Sequence, residues 1–295
     1  MIQSEAAIYR RGAILVAAST VVLSSAGFLA RWAQTAPATT LFWRSVFATL
    51  SLLIYLALTG REGLRRNFAR LGRHGLGMAA CFAASMICFI TALSYTSVAA
   101  VLFFQAAAPL CAATLAWLFL HERIGRVQMA AIAVTFAGVL VMVAGQPAGG
   151  VVGAVISAVM TLTFAGSIVL ARVRRDIPAT AAVCVAVAIV AVVTAPFAEL
   201  AVTWRELGQL ALFGTVQMGL GLVLFTAGVV LIPAADAGLI SILETVLAPV
   251  WVWLAFGEDP GTSTLVGGVI VLAAVAAVAR WGRPDRTASS RPPVL

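Results

Sequence analysis

Apolar residues run in long blocks along this chain, separated by short polar breaks. A helix that crosses a bilayer needs about 20 consecutive, mostly apolar residues. That ruler predicts ten spans, at 12–32, 37–58, 75–95, 97–120, 126–145, 150–171, 178–198, 207–231, 234–256 and 262–281. The breaks carry turn chemistry: Ala36-Pro37, an arginine-rich run from Thr59 to His74, Gly145-Gln146-Pro147, Arg172 to Pro178, and Gly257 to Gly261. The third and fourth spans meet at Tyr95 to Ser97, and the eighth and ninth at Ile232-Pro233. The first span lacks a small-x-small cleavage pattern, so a cleaved signal peptide is not expected. The pattern predicts an all-α polytopic membrane protein of ten transmembrane helices.

Composition agrees with the pattern. Of 295 residues, 62% are hydrophobic and 10% are charged, against about 25% charged in soluble domains. The net charge of +8 could point to a polyanion partner, but its placement points to topology. All 19 basic residues are arginine. With the N-terminus in the cytoplasm, sixteen arginines fall on the cytoplasmic side, and Arg31 and Arg205 fall outside. Such a bias places both termini in the cytoplasm. The nineteenth, Arg44, lies inside the second span. Without lysine, a GxxxxGK[ST] phosphate loop and a Schiff-base lysine are both excluded. No cofactor is expected. Cys81, Cys88, Cys111 and Cys184 all fall in apolar spans without zinc-ligand spacing and read as small buried hydrophobes.

The chain also repeats itself. Residues 91–145 overlay 227–281 without a gap, at an offset of 136. Trp117-Leu118 meets Trp253-Leu254, Glu122 meets Glu258, and Gly125 meets Gly261. The repeat divides the chain into five-helix units at 1–145 and 150–281, followed by a cytoplasmic tail at 282–295. Because five is odd, the two units insert in opposite directions. Inverted repeats of this kind build many secondary transporters, with the substrate site near the midplane at the repeat interface.

The two copies, Ala108-Pro109 through His121-Glu122-Arg123 and Glu244 through Ala248-Pro249 to Gly257-Glu258, resemble the duplicated signature of the drug/metabolite transporter superfamily, EamA type. Phe42-Trp43-Arg44 and Gly27-Phe28-Leu29 are similar to its second-span and first-span patterns. Thr245 departs from it, standing where proline often follows the glutamate. The resemblance covers nearly the whole chain. It implies ten helices in two inverted halves around a central cavity, with the fifth and tenth helices peripheral. It also implies a bacterial inner-membrane exporter of amino acids and related metabolites, with aromatic amino acids among the candidates. A drug exporter of the same fold is the alternative.

Charges within spans are expensive and mark functional candidates. Arg44 lies about 10 Å and Glu244 about 15 Å along their spans, at 1.5 Å per residue. Arg44 could hold a substrate carboxylate in its fork. Glu244 could meet an α-amino group or carry a coupling proton. Alternatively, the two could pair with each other. Asp236, at the start of the ninth span, reads as a gate residue or as a charge favoured at a helix N-terminus. Glu122 and Glu258 read as interface ends or caps. Gln105 and Gln217 either glue helices together or line a wet cavity, with Ser24, Ser25, Thr161 and Thr163 as further polar candidates. Pro109 and Pro249 free the carbonyls of Gln105 and Thr245, which predicts a broken turn in each half. Trp43, Tyr95, Phe104 and Phe164, with Phe42 and Phe103, could line an apolar pocket. Gly214, Gly221 and Gly228 give the eighth span a smooth stripe for packing or sliding.

Of the function classes, a carrier of small molecules fits best, with coupling to protons left open and with the lipid bilayer and no nucleic acid as its surroundings. Neither oligomeric state, monomer or dimer, is favoured. An intramembrane enzyme lacks its motifs: there is no HExxH, no GxSxG and no second intramembrane aspartate. A channel would need a ring of selectivity groups, and a scaffold subunit would show no saturable flux.

Overall fold

The computed structural model describes residues 5–59, 63–120, 126–144, 148–173, 177–229, 231–232 and 234–281, and the regular structure among them is helical throughout. Seven helical stretches are long and apolar enough to cross a bilayer: Ala7–Ala33, Pro37–Thr59, Gly72–Ala92, Val98–Phe119, Gly150–Ala171, Ala179–Phe197 and Trp204–Val229. Three shorter apolar stretches lie within the helices Arg126–Ala144, Ala234–Phe256 and Thr262–Trp281. Together these are the ten spans, numbered below in chain order. The end carrying Arg31 and Arg205 is the arginine-poor end.

The spans pack in a defined set of pairs. The second lies on the seventh, the fourth on the ninth, and the fifth on the tenth; the first lies on the eighth and the third on the sixth. Adding five to every number maps the first three pairs onto themselves and exchanges the last two. Two halves related by a two-fold axis require that pattern. The fifth–tenth seam shows it at residue level. A Cβ on Gly138 would sit 2.9 Å from the Gly267 carbonyl oxygen. The sequence offset carries this pair to Ala274 and Ala131, which share a buried cluster with Leu110 and Val275. Small side chains here let two backbones touch, the usual route to tight helix packing in lipid.

Three spans break or widen partway along their length. The first breaks at Ser25, between helices Glu5–Ser24 and Ala26–Ala33. The hydroxyls of Ser24 and Ser25 donate back to the carbonyls of Val21 and Val22, satisfying groups that lipid could not. The fourth breaks at Ala107 into Val98–Ala106 and Ala108–Leu120, where Pro109 lacks the N–H that would reach Gln105. The matching break predicted at Pro249 is absent: the ninth helix runs unbroken from Ala234 to Phe256 with the proline inside it. One lost backbone bond can be tolerated when the rest of a helix is packed. The eighth span holds an unforeseen eight-residue π-helix, Phe213–Leu220, between the α-helices Trp204–Leu212 and Gly221–Val229.

Candidate functional site

The π-helix is where the first, second and eighth spans meet. A π turn is wider than an α turn and is common at functional sites. Small residues hold it close to its neighbours. A Cβ on Gly214 would strike the carbonyl oxygen of Arg44, and one on Gly219 would strike Ser51 Oγ. One turn further, Ser19 Oγ donates to the carbonyl of Gly221 at 3.0 Å.

Arg44 is enclosed by this contact and is only 5% exposed. Its guanidinium carbon stands 4.5 Å from the centre of the Phe213 ring, a cation–π geometry. Nη2 points at Met218 Sδ from 3.8 Å, while Nε and Nη1 are buried with no hydrogen-bond partner. Gln217, 4% exposed, donates through Nε2 to the carbonyl of Leu23 at 3.2 Å, while its Oε1 is left without a partner. The hydroxyl of Ser45 is also buried and unpartnered. A buried guanidinium without an anion costs several kcal/mol. The geometry therefore leaves Arg44 able to take up a carboxylate.

Arg44 and Glu244 do not pair with each other, which removes one of the alternatives read from the sequence, and an ion pair among the described residues joins Arg31 to Glu258. Glu244 stands in the middle of the ninth helix, partly buried, with no ion pair or hydrogen bond among the described residues. Asp236 belongs to the first turn of that helix, but its side chain lies outside the described residues, as do all of Glu122 and His121.

The aromatic candidates do not gather in one pocket. Phe104, 4% exposed, is in the main core with Phe103. Phe164 of the sixth span packs on Phe82 of the third, with ring centroids 5.7 Å apart. Tyr95, 50% exposed, is in the turn between the third and fourth spans. Trp43 stacks on Phe47 and donates through Nε1 to the carbonyl of Glu199, fastening the loop before the eighth span. Gln105 is partly buried beside the fourth-span break. The four cysteines are free thiols.

The sequence did not single out Arg31 beyond its side of the membrane. At the arginine-poor end its Nε donates to Glu258 Oε2 at 2.9 Å, Nη1 to the Leu93 carbonyl at 2.8 Å, and Nη2 to the Thr96 carbonyl at 3.2 Å. The second oxygen of Glu258 accepts from Val98 N at 2.8 Å, while Ser97 Oγ accepts from Ala100 N. Glu258 is thus a cap, as expected, but on the fourth span rather than on its own helix. A carboxylate at a helix N-terminus is favoured by the helix dipole. The motif glycine explains its placement. Gly257 (φ 65°) closes the ninth helix and Gly261 (φ 76°) ends the loop, both left-handed conformations in which a side chain is strained. The signal available in the sequence was that Arg31 opposes the charge bias.

The fold and site define a polytopic α-helical membrane protein built from two repeats, with a buried unpaired cation beside an irregular helix. Residues 10–144 and 150–280 each match the EamA-like transporter family, and the chain belongs to that family. No curated protein matches it. Among solved structures, the crystal structure of one protein superposes with a TM-score of 0.62, covering 91% of this chain and 98% of its own, at 16% identity. It is similar in fold.

Proposed function

We propose that this protein is a secondary transporter that exports amino acids and related small carboxylates by alternating access across a bacterial inner membrane, with both termini cytoplasmic. Membership of the EamA-like transporter family supports transport of small molecules. The observation that carries the substrate class is Arg44, a buried guanidinium with two unpartnered nitrogens. A substrate carboxylate supplies the missing anion, and charge-assisted hydrogen bonds of this kind are the strong ones. Gln217 Oε1 offers an acceptor nearby on the π-helix. Glu244 offers an anion to an α-amino group, or a site for a coupling proton. Asp236, Pro109 and Pro249 are assigned to gating, and Trp43, Tyr95, Phe104, Gln105 and Phe164 to the lining met along the path.

The test is reconstitution into liposomes with a panel of labelled amino acids, with and without a pH gradient. Saturable counterflow of at least one of them is expected. The matching amino-acid amides, which lack the carboxylate, are run beside them: counterflow of the amides equal to that of the parent amino acids, or counterflow of the amides alone, would overturn the assignment of Arg44.

A further inference from the structure

We propose that Arg31 and Glu258 form a latch that closes the arginine-poor end of the protein and opens during each transport cycle. The inference rests on the transporter reading and adds the device that gates one end. Arg31 ends the first span, in the first repeat, and Glu258 follows the ninth, in the second. Their ion pair crosses the repeats. Through Leu93, Thr96 and Val98 the same two side chains hold the turn between the third and fourth spans. Two further cross-repeat contacts accompany them: Trp251 Nε1 donates to Ser24 Oγ at 3.0 Å, and the rings of Phe28 and Phe256 lie 5.6 Å apart. Beneath the pair is a small crevice lined by Val98, Ala99, Pro249, Val252, Glu258 and Pro260, so the latch roofs a seam between the fourth and ninth spans.

The chemistry suits a closure that must reopen. Both side chains are partly exposed, 32% and 22%, so water can take over their hydrogen bonds when they part. A partly exposed ion pair contributes little net stability. Elsewhere the first and eighth spans touch through close-packed apolar and glycine surfaces, such as Gly228 against Gly12 and Val16, which have no such replacement partner.

The experiment is done in the full chain with its four cysteines replaced and Ala99→Cys introduced in the crevice, probed with a membrane-impermeant maleimide from the arginine-poor side. Arg31→Gln and Glu258→Gln each raise the labelling rate by about fivefold or more, and the double variant raises it by clearly less than the product of the two single effects, as a shared contact requires. A second reporter, Leu200→Cys, sits in an exposed loop at the same end and controls for misfolding: its labelling stays constant. Unchanged labelling at position 99, or a double variant that reaches that product, overturns the latch. Labelling needs no substrate, so it decides the latch whether or not the substrate class is right. Where flux is measurable, Arg31→Cys/Glu258→Cys bridged by a short reducible thiol reagent loses flux and regains it on reduction. Full flux in the bridged protein would show a permanent tie and overturn the proposal.

Discussion

Arg44 carries opposite demands on stability and function, and that makes it testable. A charge buried without an anion is costly, so replacing it with an apolar residue of similar length relieves the fold. Arg44→Met is expected to raise the thermal midpoint of the detergent-solubilised protein by about 2 °C or more, taking about 1–4 kcal/mol relieved and about 2–4 °C per kcal/mol. The same variant should lose about 10–100-fold in carboxylate flux, the worth of a hydrogen bond to a charged group. Arg44→Lys keeps the charge without the fork and falls between. A drop in thermal midpoint together with unchanged flux would make Arg44 a structural residue. Glu244→Gln answers a separate question. If Glu244 carries the coupling proton, the variant's flux no longer responds to an imposed pH gradient, whereas a gradient response equal to wild type excludes that role. Arg44 and Glu244 stood out in the sequence because charge is so rare within these spans. Their surroundings did not, because what a side chain meets depends on how spans pack, and a nearly uniform apolar background carries little record of that.

The eighth span shows what periodicity misses at the scale of an element. Gly214, Gly221 and Gly228 recur every seven residues, which on a plain α-helix places them on one face. In the protein Gly214 abuts the second span, while Gly221 and Gly228 abut the first, at Leu23 and Val16. The wider π turn between Gly214 and Gly221 rotates the stripe. Nothing in the local sequence announces a π-helix, because it is stabilised by the packing of Gly214 and Gly219 against their neighbours. The fourth-span break, by contrast, was legible because proline acts locally. Glycine substitutions separate contact from propensity here. Gly214→Ala forces its methyl onto the backbone of Arg44 and should cost about 1–3 kcal/mol, read as a fall in thermal midpoint. Gly208→Ala, in the same span with nothing within 4 Å, should be neutral or stabilising by about 0.5–1 kcal/mol. Equal effects at the two positions would mean that the π segment is not held by this contact.

At the scale of the whole molecule, hydropathy and arginine placement carried ten spans, and the offset of 136 carried the repeat. The pairing of spans was out of reach, because inverted halves of similar hydropathy can be docked in several ways. The pairing that occurs has a consequence for assembly. The seams of first with eighth, second with seventh, third with sixth, fourth with ninth and fifth with tenth all run between the halves. Contacts within a half are fewer and lie mainly between consecutive spans. Each half therefore finds most of its buried surface on the other, and the polar groups of the π-helix are covered by spans from both. Lipid offers no substitute for close helix packing and satisfied polar groups. If residues 1–147 and 148–295 are expressed as separate chains, each alone should be degraded or run as a polydisperse species in detergent. Co-expressed, they should co-purify in equal amounts with a thermal midpoint close to that of the intact chain. Association should survive Glu258→Gln, because the ion pair is one contact among many. It should weaken with Gly138→Val, which wedges the fifth and tenth spans apart at the Gly267 carbonyl. Halves that are each monodisperse and stable alone would show that the repeats fold as independent domains and that the inter-half seams are secondary.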